Sequence, residues 1–360
     1  MINTTCACLV CLLVAEPKPA YVLESTPVQR IEAVLDGRAE HAGLSAREWI
    51  LFAAKPPRLP SQVDVSALLE PAGRSTVERS SLKRAVLWAR LPVRGDTNKS
   101  SIHVNVRYRA TLMARRLVES QPSDPKPRVS PLTPKQRREA LAETPLIDFG
   151  TEPFPRWLEI NKLHRHDDEG TIDFARRIFL IIKRNFEYEY LDDMDRRASH
   201  VCRTRKSDCG GLCVVFVAVL RANRVPARLL VGRWAKSSKP GRTVNDVPYF
   251  ETHVKAEFFA DDVGWIPLDI ACAINSKWSR QLKYFGNDPG DFLVMHLDDD
   301  LTLNTIHFGN RPVGLLQGIS FWVVSTRDIE KLEIHERWRV RKLALRTTDA
   351  DDKQTKGSPP

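Results

Sequence analysis

The sequence lacks several patterns that would assign the protein to a class at once. No run approaches the roughly 18 apolar residues of a membrane-spanning helix, so no membrane span is expected. Basic residues outnumber acidic ones by 55 to 45, but no basic motif interleaved with aromatic residues appears. Nucleic acid is therefore not an expected partner. No internal repeat is apparent.

Cysteine usage also excludes two common kinds of small domain. The seven cysteines form neither a dense disulfide framework nor the paired CxxC pattern of a zinc site. Because the number is odd, at least one thiol is free or paired with another chain. The cysteines are Cys6, Cys8, Cys11, Cys202, Cys209, Cys213 and Cys272.

The first 20 residues hold a short apolar run from Cys6 to Ala15. Its length resembles the apolar part of a secretion signal, but no basic residue precedes it. Residues 1–20 are therefore interpreted as a possible signal-like segment. The location stays open between export, to the periplasm or the medium, and the cytoplasm.

The length of 360 residues favours two domains. Apolar residues at helical spacing predict a helix from Val28 to Ile50. From Pro60 to Val118 the pattern changes, and stretches such as VNVRYR show the period of two that a half-buried strand needs. Residues 21–118 are therefore predicted to form a helix and a small β-rich domain, either a sandwich or an antiparallel sheet.

The middle of the chain has the composition of a linker. Residues 119–156 include five prolines between Pro122 and Pro134 in polar company, with a short helix predicted at PKQRREALAE. A second domain is predicted over residues 157–335. Residues 336–360 are predicted to be a charged, solvated tail.

Within the second domain, apolar spacing predicts a helix from Ile172 to Phe186. A hairpin is predicted around the turn ADDVG, with strands Tyr249–Phe259 and Gly264–Ile270. The runs FLVMHL and GISFWVVS predict two more strands.

Cys209 stands at the start of a predicted buried helix. Ser207 and Asp208 are residues that cap helices, and the run from Val214 to Leu220 is apolar. A cysteine in the first turn lies at the positive end of the helix, which favours the reactive thiolate. The two glycines that follow it would give a substrate access to the sulfur and leave the Cys209 N–H free to stabilise an oxyanion. Taken alone, Cys209 could equally be an inert cysteine.

A nucleophilic thiolate needs a base, and the base needs an orienting group. His253 lies in a strongly patterned strand, and Asp269 ends the next strand of the predicted hairpin. Antiparallel pairing brings the two residues back towards each other. An aspartate directly after the apolar run WIPL is unusual for a core and suits an imidazole partner.

The blocks DCGGLCVVFVAVLRANRVPARLLVGRW, HVKAEFF and GWIPLD resemble the transglutaminase-like superfamily over about Ile172 to Ile270. The resemblance implies an α+β fold with a papain-like core and a Cys209, His253 and Asp269 triad. It also assigns Arg221 to the position of the family's arginine at the end of the nucleophile helix.

Two positions depart from the family pattern. Arg224 replaces a common glycine, and Lys255 stands where the family often has a tryptophan. Lys255 puts in doubt the aromatic wall of the site, which Trp234 or Trp265 could supply instead. For the second oxyanion donor, Tyr188 and Tyr190 are candidates, although strand packing would explain both.

The expected function is therefore cysteine-dependent acyl transfer on protein or peptide amides. The outcome is proteolysis, deamidation or cross-linking, and the reaction requires no metal or cofactor. One alternative is a non-catalytic scaffold or binding protein that keeps the fold. A second is a metal-binding module built on Cys209, Cys213 and His253, for which a fourth ligand is hard to place. The oligomeric state cannot be read from the sequence.

Overall fold

The computed structural model describes residues 20–42, 46–71, 73–77, 82–93, 99–121, 129–237, 239, 243–244, 247–248, 251–276, 281–325 and 332–345. The predicted signal-like segment, with its three cysteines, lies outside these residues except for Ala20. Within the described part of the chain, no helix has the length and apolar character needed to cross a membrane.

Six helices are described, and they are α1 (Pro134–Glu139), α2 (Phe154–Ile160), α3 (Thr171–Asn185), α4 (Ala198–Thr204), α5 (Cys209–Ala222) and α6 (Ile270–Asn275). The strands up to Ser120 are β1 (Ala20–Ala42), β2 (Ala46–Lys55), β3 (Gln62–Glu70), β4 (Arg74–Val77), β5 (Ala85–Pro92) and β6 (Lys99–Ser120). Those that follow are β7 (Glu187–Tyr188), β8 (Lys206–Ser207), β9 (Ala227–Trp234), β10 (Thr243–Val244), β11 (Val247–Pro248), β12 (Thr252–Ala260), β13 (Gly264–Leu268), β14 (Asn287–Asp288), β15 (Phe292–Leu297), β16 (Leu301–Asn304), β17 (Asn310–Val313), β18 (Ile319–Ser325) and β19 (Glu333–Leu343).

The predicted helix from Val28 to Ile50 is wrong, because the described residues of this stretch, 28–42 and 46–50, lie in strands β1 and β2. Ile31, Ala33 and Leu35 are buried on one face of β1. Ile31 and Leu35 are four residues apart, and that spacing fits one face of a helix and one face of a strand equally well. Ala33, which completes the period of two, is small enough to be overlooked as a core position.

The β-rich part has two antiparallel sheets with a shared core. One sheet has the order β14-β6-β1-β19, with β3 also paired to β6, and the other has the order β18-β2-β5-β4. Buried side chains from both sheets, such as Val104, Tyr108, Trp49 and Leu51, belong to one apolar cluster. The predicted β-rich architecture is therefore present, and strands from far along the chain complete both sheets.

The predicted charged tail is wrong for residues 336–343, which continue strand β19. This strand pairs with β1 from Arg30↔Leu343 to Glu40↔Glu333. Trp338 is buried under the sheet, whereas Arg337 and Arg339 point away from the core. Charged residues therefore dominate the composition of β19, and Trp338 is its one buried residue. Residues 346–360 lie outside the described part, and the domain boundaries themselves stay predictions.

The second half carries the nucleophile helix on a sheet. Strands β13, β12, β9 and β15 form a four-stranded antiparallel sheet in that order. Helix α5 packs on it, with Leu212 to Leu220 buried, and α3 covers the same core. The helix predicted at Ile172 to Phe186 is confirmed as α3, and the predicted strands at FLVMHL and GISFWVVS are β15 and β18. The fold is α+β, with a buried helix that starts at Cys209 packed on an antiparallel sheet, as the sequence predicted.

The two halves share a core through β15. Phe292 and Val294 belong to the apolar cluster around α5, whereas Leu293 and Met295 belong to the cluster of the β-rich part. Each face of this strand is therefore buried against a different half, which is why its sequence is continuously apolar.

The turn between α5 and β9 contains the residue that departs from the family pattern. Arg224 has a φ of 59°, in the left-handed region, and it is exposed. This conformation costs an L-residue about 1–2 kcal/mol, whereas glycine adopts it freely but loses about 0.5–1 kcal/mol of chain entropy. We therefore expect Arg224→Gly to raise the free energy of unfolding by about 0.5–1 kcal/mol, measured by urea denaturation at constant m.

Arg224→Ala is the matched control, because it removes the same side chain but keeps the unfavourable conformation. We expect its free energy of unfolding to stay within about 0.5 kcal/mol of the parent. An equal gain in both variants would show that the arginine side chain, and not the backbone, is the source of the effect.

Candidate active site

Cys209 is the first residue of α5, and Asp208 is its N-cap. The Oδ1 atom of Asp208 accepts a hydrogen bond from the Gly211 N–H at 3.1 Å. The guanidinium of Arg196 donates to Oδ2 of the same carboxylate at 2.9 and 2.7 Å. Of the two predicted capping residues, Asp208 is therefore the one that caps the helix. Its position fixes the first turn, in which the N–H groups of Cys209 and Gly210 lie at the positive end of the helix.

The two glycines after Cys209 have different roles. A Cβ at Gly211 would overlap the Oγ of Ser207, so this position requires glycine for packing. Gly210 lines the open cleft in front of Cys209, where a Cβ would lie 3.1 Å from Leu315 Cδ1. The sequence predicted that both glycines would give a substrate access to the sulfur. The position of Gly210 in the cleft is consistent with that role, whereas Gly211 does not line the cleft.

The structure brings His253 and Asp269 into direct contact. The Nε2 atom of His253 lies 2.8 Å from Oδ2 of Asp269, and both side chains are buried. The other carboxylate oxygen of Asp269 accepts from the Cys272 N–H at 2.9 Å and caps helix α6. This cap holds the carboxylate in one orientation. With Nε2 engaged, Nδ1 of the imidazole is the nitrogen that remains for the Cys209 sulfur.

The predicted hairpin is confirmed, with shorter strands than expected. Strands β12 and β13 pair from Ala260↔Gly264 to Ala256↔Leu268. The first strand begins at Thr252, and the second ends at Leu268 because Asp269 already caps a helix. The predicted start, at Tyr249, lies outside the described residues.

Charges around the imidazole favour its protonated form. Burial lowers the pKa of His253, but the charges of Asp269 and Cys209, with hydrogen bonds to both, raise it well above its usual value. Burial raises the pKa of Asp269, yet His253 and the nearby Lys255 bring it down to about 2. The site therefore holds an ionised carboxylate next to a protonated imidazole at neutral pH.

An aromatic wall is present despite the lysine at position 255. The indole of Trp234 stacks on the His253 imidazole, with ring centroids 4.3 Å apart and planes at 22°. Phe292 meets the same imidazole edge to face at 5.9 Å. Trp265 instead packs against Phe259 and lies under the guanidinium of Arg228. Of the two predicted candidates, Trp234 is therefore the one that forms the wall.

Lys255 lies behind this wall. Its ammonium is buried, 3.3 Å from Asp288 and 3.5 Å from Asp291, and 5.1 Å from the centre of the Trp234 ring. Lys255 is thus buried beside Trp234 and paired with two aspartates. Trp234, and not residue 255, packs on the face of the imidazole.

A cleft of about 610 Å³ opens in front of Cys209 and His253. Tyr188 and Tyr190 line it, so both candidate donors are near the site. Burial raises the pKa of Tyr188, and the charges of Cys209 and Asp208 raise it further, so its hydroxyl stays protonated. Tyr190 is half exposed at the rim. A cleft of this size accommodates several residues of a peptide chain.

The other described cysteines near the site are structural or buried. The thiol of Cys213 is buried in the core and donates to the Val254 carbonyl at 3.4 Å. Burial raises the pKa of Cys272 to about 12. Among the described residues, the three potential ligands that come within 4.8 Å of one another are His253, Asp269 and Cys272. This is not the Cys209, Cys213 and His253 set that a metal-binding module would use.

Several residues that line or support the cleft were not predicted from the sequence, and three of them are Arg196, Leu315 and Gln317. Arg196 holds the helix cap, while Leu315 and Gln317 approach from a loop near the C-terminal strands. Arg196 belongs to a run of charged residues with no distinctive spacing. The other two stand in the unpatterned stretch GLLQG, some 60 residues from His253 along the chain. No signal in the sequence singles them out.

A model of the transglutaminase-like superfamily matches residues 161–270. This part of the chain is a transglutaminase-like core. It contains all three predicted site residues, Cys209, His253 and Asp269, and at the level of the superfamily it supports a cysteine-dependent enzyme. Comparison with curated proteins finds no match.

A solved structure shares the fold of this chain at low sequence identity. A "Putative Cysteine Protease" from Cytophaga hutchinsonii is 15% identical, with a TM-score of 0.54, over 91% of this chain and 95% of that one. The periplasmic domain of TgpA from Pseudomonas aeruginosa is also 15% identical, with a TM-score of 0.31, over 65% of this chain and 91% of that one. The first of these extends the likeness beyond the transglutaminase-like core to nearly the whole chain.

Proposed function

We propose that the protein is a cysteine-dependent acyltransferase or hydrolase that acts on amide groups of protein or peptide substrates. Cys209 is the nucleophile, His253 is the general acid and base, and Asp269 orients the imidazole. The observation that carries this proposal is the buried 2.8 Å contact between His253 and Asp269 at the wall of an open cleft that also exposes Cys209. A packing role alone would not explain a buried imidazolium and carboxylate beside a half-buried thiol that faces the cleft.

In the first step, the Cys209 sulfur attacks the amide carbonyl carbon and a C–S bond forms. The negative charge moves to the carbonyl oxygen, which the Cys209 N–H at the helix start stabilises. Tyr188, which lines the same cleft, is the candidate for a second donor. His253 then gives its proton to the amide nitrogen, the C–N bond breaks and the amine leaves.

In the second step, water or an amine attacks the thioester. His253 takes a proton from the incoming nucleophile, the C–S bond breaks and the Cys209 sulfur is regenerated. Water gives peptide hydrolysis or deamidation, and an amine gives a cross-link. The same residues serve all three outcomes, so the outcome depends on which amide and which nucleophile the cleft admits.

The test compares the purified chain with Cys209→Ala on three readouts, which are peptide hydrolysis, ammonia release and incorporation of a fluorescent amine. We expect at least one readout to be positive for the parent chain and absent for Cys209→Ala. The matched control is Cys202→Ala, which removes a buried thiol that contacts the Ser199 carbonyl on α4. This control should keep the activity.

Iodoacetamide labelling separates the proposal from the scaffold alternative without knowledge of the substrate. We expect Cys209 to react fastest among the thiols, and to react more slowly after His253→Ala. Slow and uniform labelling of all cysteines would contradict the catalytic proposal and favour a binding protein that only keeps the fold.

A further inference from the structure

We infer that Gln317 is a positioning residue for His253, and that the 314–318 loop is part of the active site. This loop, Gly314 to Gly318, connects β17 to β18 and so belongs to the C-terminal part of the chain, outside the segment 161–270 that matches the superfamily model. The inference rests on the proposed role of His253.

Gln317 contacts the strand that carries His253. Its side-chain Nε2 donates to the His253 carbonyl at 2.7 Å and to the Gly232 carbonyl at 2.9 Å. His253 and Gly232 face each other across strands β12 and β9. The amide group of Gln317 therefore links the backbone of His253 to strand β9. The same strand carries Trp234, which stacks on the imidazole.

The backbone of the loop is fixed by a second set of contacts. The Nε of Arg233 donates to the Gln317 carbonyl at 2.6 Å, and its other guanidinium nitrogens pair with Glu251, at 3.0 Å, and with Glu336. The second oxygen of Glu336 accepts from the Ile319 N–H at 2.6 Å. Strands β9 and β19 therefore hold the loop from two sides.

A third anchor comes from β15, where Nε2 of His296 accepts from the Leu316 N–H at 2.8 Å. The neighbouring Leu315 lines the cleft and lies over Gly210, at the start of the nucleophile helix. The loop thus contacts both the histidine strand and the nucleophile turn. A shift in Gln317 would alter the distance between His253 and its two partners, since these come from other elements.

Loss of the Gln317 contacts should weaken the interactions of the His253 imidazolium with Asp269 and Cys209. If His253 moves away from Asp269 and Cys209, it loses the interactions that favour the imidazolium, and the imidazolium no longer supports the thiolate. We expect Gln317→Leu and Gln317→Glu, which both remove the amide donors, to slow iodoacetamide labelling of Cys209 about tenfold at pH 6. The pH profile of labelling should change as well, because the pKa of His253 falls when the imidazole loses these partners.

Two controls separate positioning from general destabilisation. Gln281→Glu makes the same charge change at an exposed residue and should leave the labelling profile unchanged. Labelling is measured well below the melting temperature of each variant, with circular dichroism to show that it is folded. A merely structural role for Gln317 would lower the melting temperature but leave the pH profile of the folded protein unchanged, and that result would overturn the inference.

The labelling experiment distinguishes a failure of the proposed function from a failure of the positioning role of Gln317. If Cys209 of the parent chain is no more reactive than an ordinary thiol, the proposed function fails. If Cys209 is reactive and stays equally reactive in both Gln317 variants, the proposed function stands and the positioning role fails. If the His253 N–H proton that faces Asp269 is visible by NMR, a shift of its resonance in Gln317→Leu is the expected direct signature.

Discussion

Asp269→Asn should reduce the rate of substrate turnover by about 10²–10⁴-fold while the protein stays folded. One carboxylate oxygen of Asp269 caps α6 through the Cys272 N–H, so the asparagine should keep its carbonyl oxygen there. Its NH₂ group then faces Nε2 of His253, which was 2.8 Å from a carboxylate oxygen. The imidazole must now accept a hydrogen bond at Nε2 and carry its single proton on Nδ1. Protonation of Nε2 would place its N–H against the NH₂ group of the asparagine, so the imidazolium becomes unfavourable.

The pH dependence of turnover supplies a second test of this substitution. The general acid step needs the protonated imidazole, which is present below the pKa of His253 and lost above it. Burial lowers this pKa, and Asp269 is the largest of the influences that raise it. Without the carboxylate charge the pKa falls, so the alkaline limit of activity should move to lower pH. If Asp269→Asn lowers the turnover rate at every pH but leaves the alkaline limit unchanged, the proposed role of Asp269 is contradicted.

Asp261→Asn is the matched control, because it makes the same chemical change at an exposed position in the turn of the same hairpin. We expect it to leave both the rate and the pH profile unchanged. A comparable loss in this variant would indicate a general effect of charge on the hairpin and not an effect on the imidazole.

Arg221→Met should lower the free energy of unfolding by about 3–5 kcal/mol, the largest stability effect that we expect from a single substitution here. Arg221 pairs with Asp298 at 2.8 Å, and both side chains are buried. The guanidinium also donates to the carbonyls of Ala227, at 3.0 Å, and Ala142, at 2.7 Å. Its removal leaves a buried carboxylate without its counterion. Urea denaturation measures the loss.

Two comparisons test whether the unpaired charge causes the effect. The double variant Arg221→Met, Asp298→Asn should be less destabilised than the sum of the two single variants, since it removes both charges. Arg38→Met breaks an exposed ion pair with Glu40 and should cost no more than about 1 kcal/mol. A cost within about 1 kcal/mol for Arg221→Met itself would show that the ion pair does not stabilise the junction between α5 and the sheet.

The core of the site could be predicted because its residues lie in short, patterned segments. Cys209 precedes a continuous apolar helix, and His253 and Asp269 lie on one hairpin whose turn is evident in the sequence. Local pairing rules are sufficient to bring the last two together. The resemblance to a family then related the hairpin to the cysteine, which no local rule could do.

The long-range parts of the structure could not be predicted. Strand β1 pairs with β19 about 300 residues later, and neither strand has an alternation strong enough to outweigh its charges and small residues. The reason for Gly211 is equally hidden, because it depends on the close approach of Ser207. The same is true of Gln317, whose amide is adjacent to His253 only in the folded chain.

Because β1 pairs with β19 and β2 pairs with β18, the contacts around the proposed active site can be completed only after these later strands have been synthesised. The first strands leave the ribosome with open edges that only the last strands cover. The loop that holds His253 is made between those two sets of strands, and Glu336, which anchors it, is made later still. A chain that has been synthesised only as far as β17 contains the Cys209 helix and the hairpin but lacks Gln317 and Glu336. We therefore expect thiol reactivity to appear only after Glu336 has been synthesised.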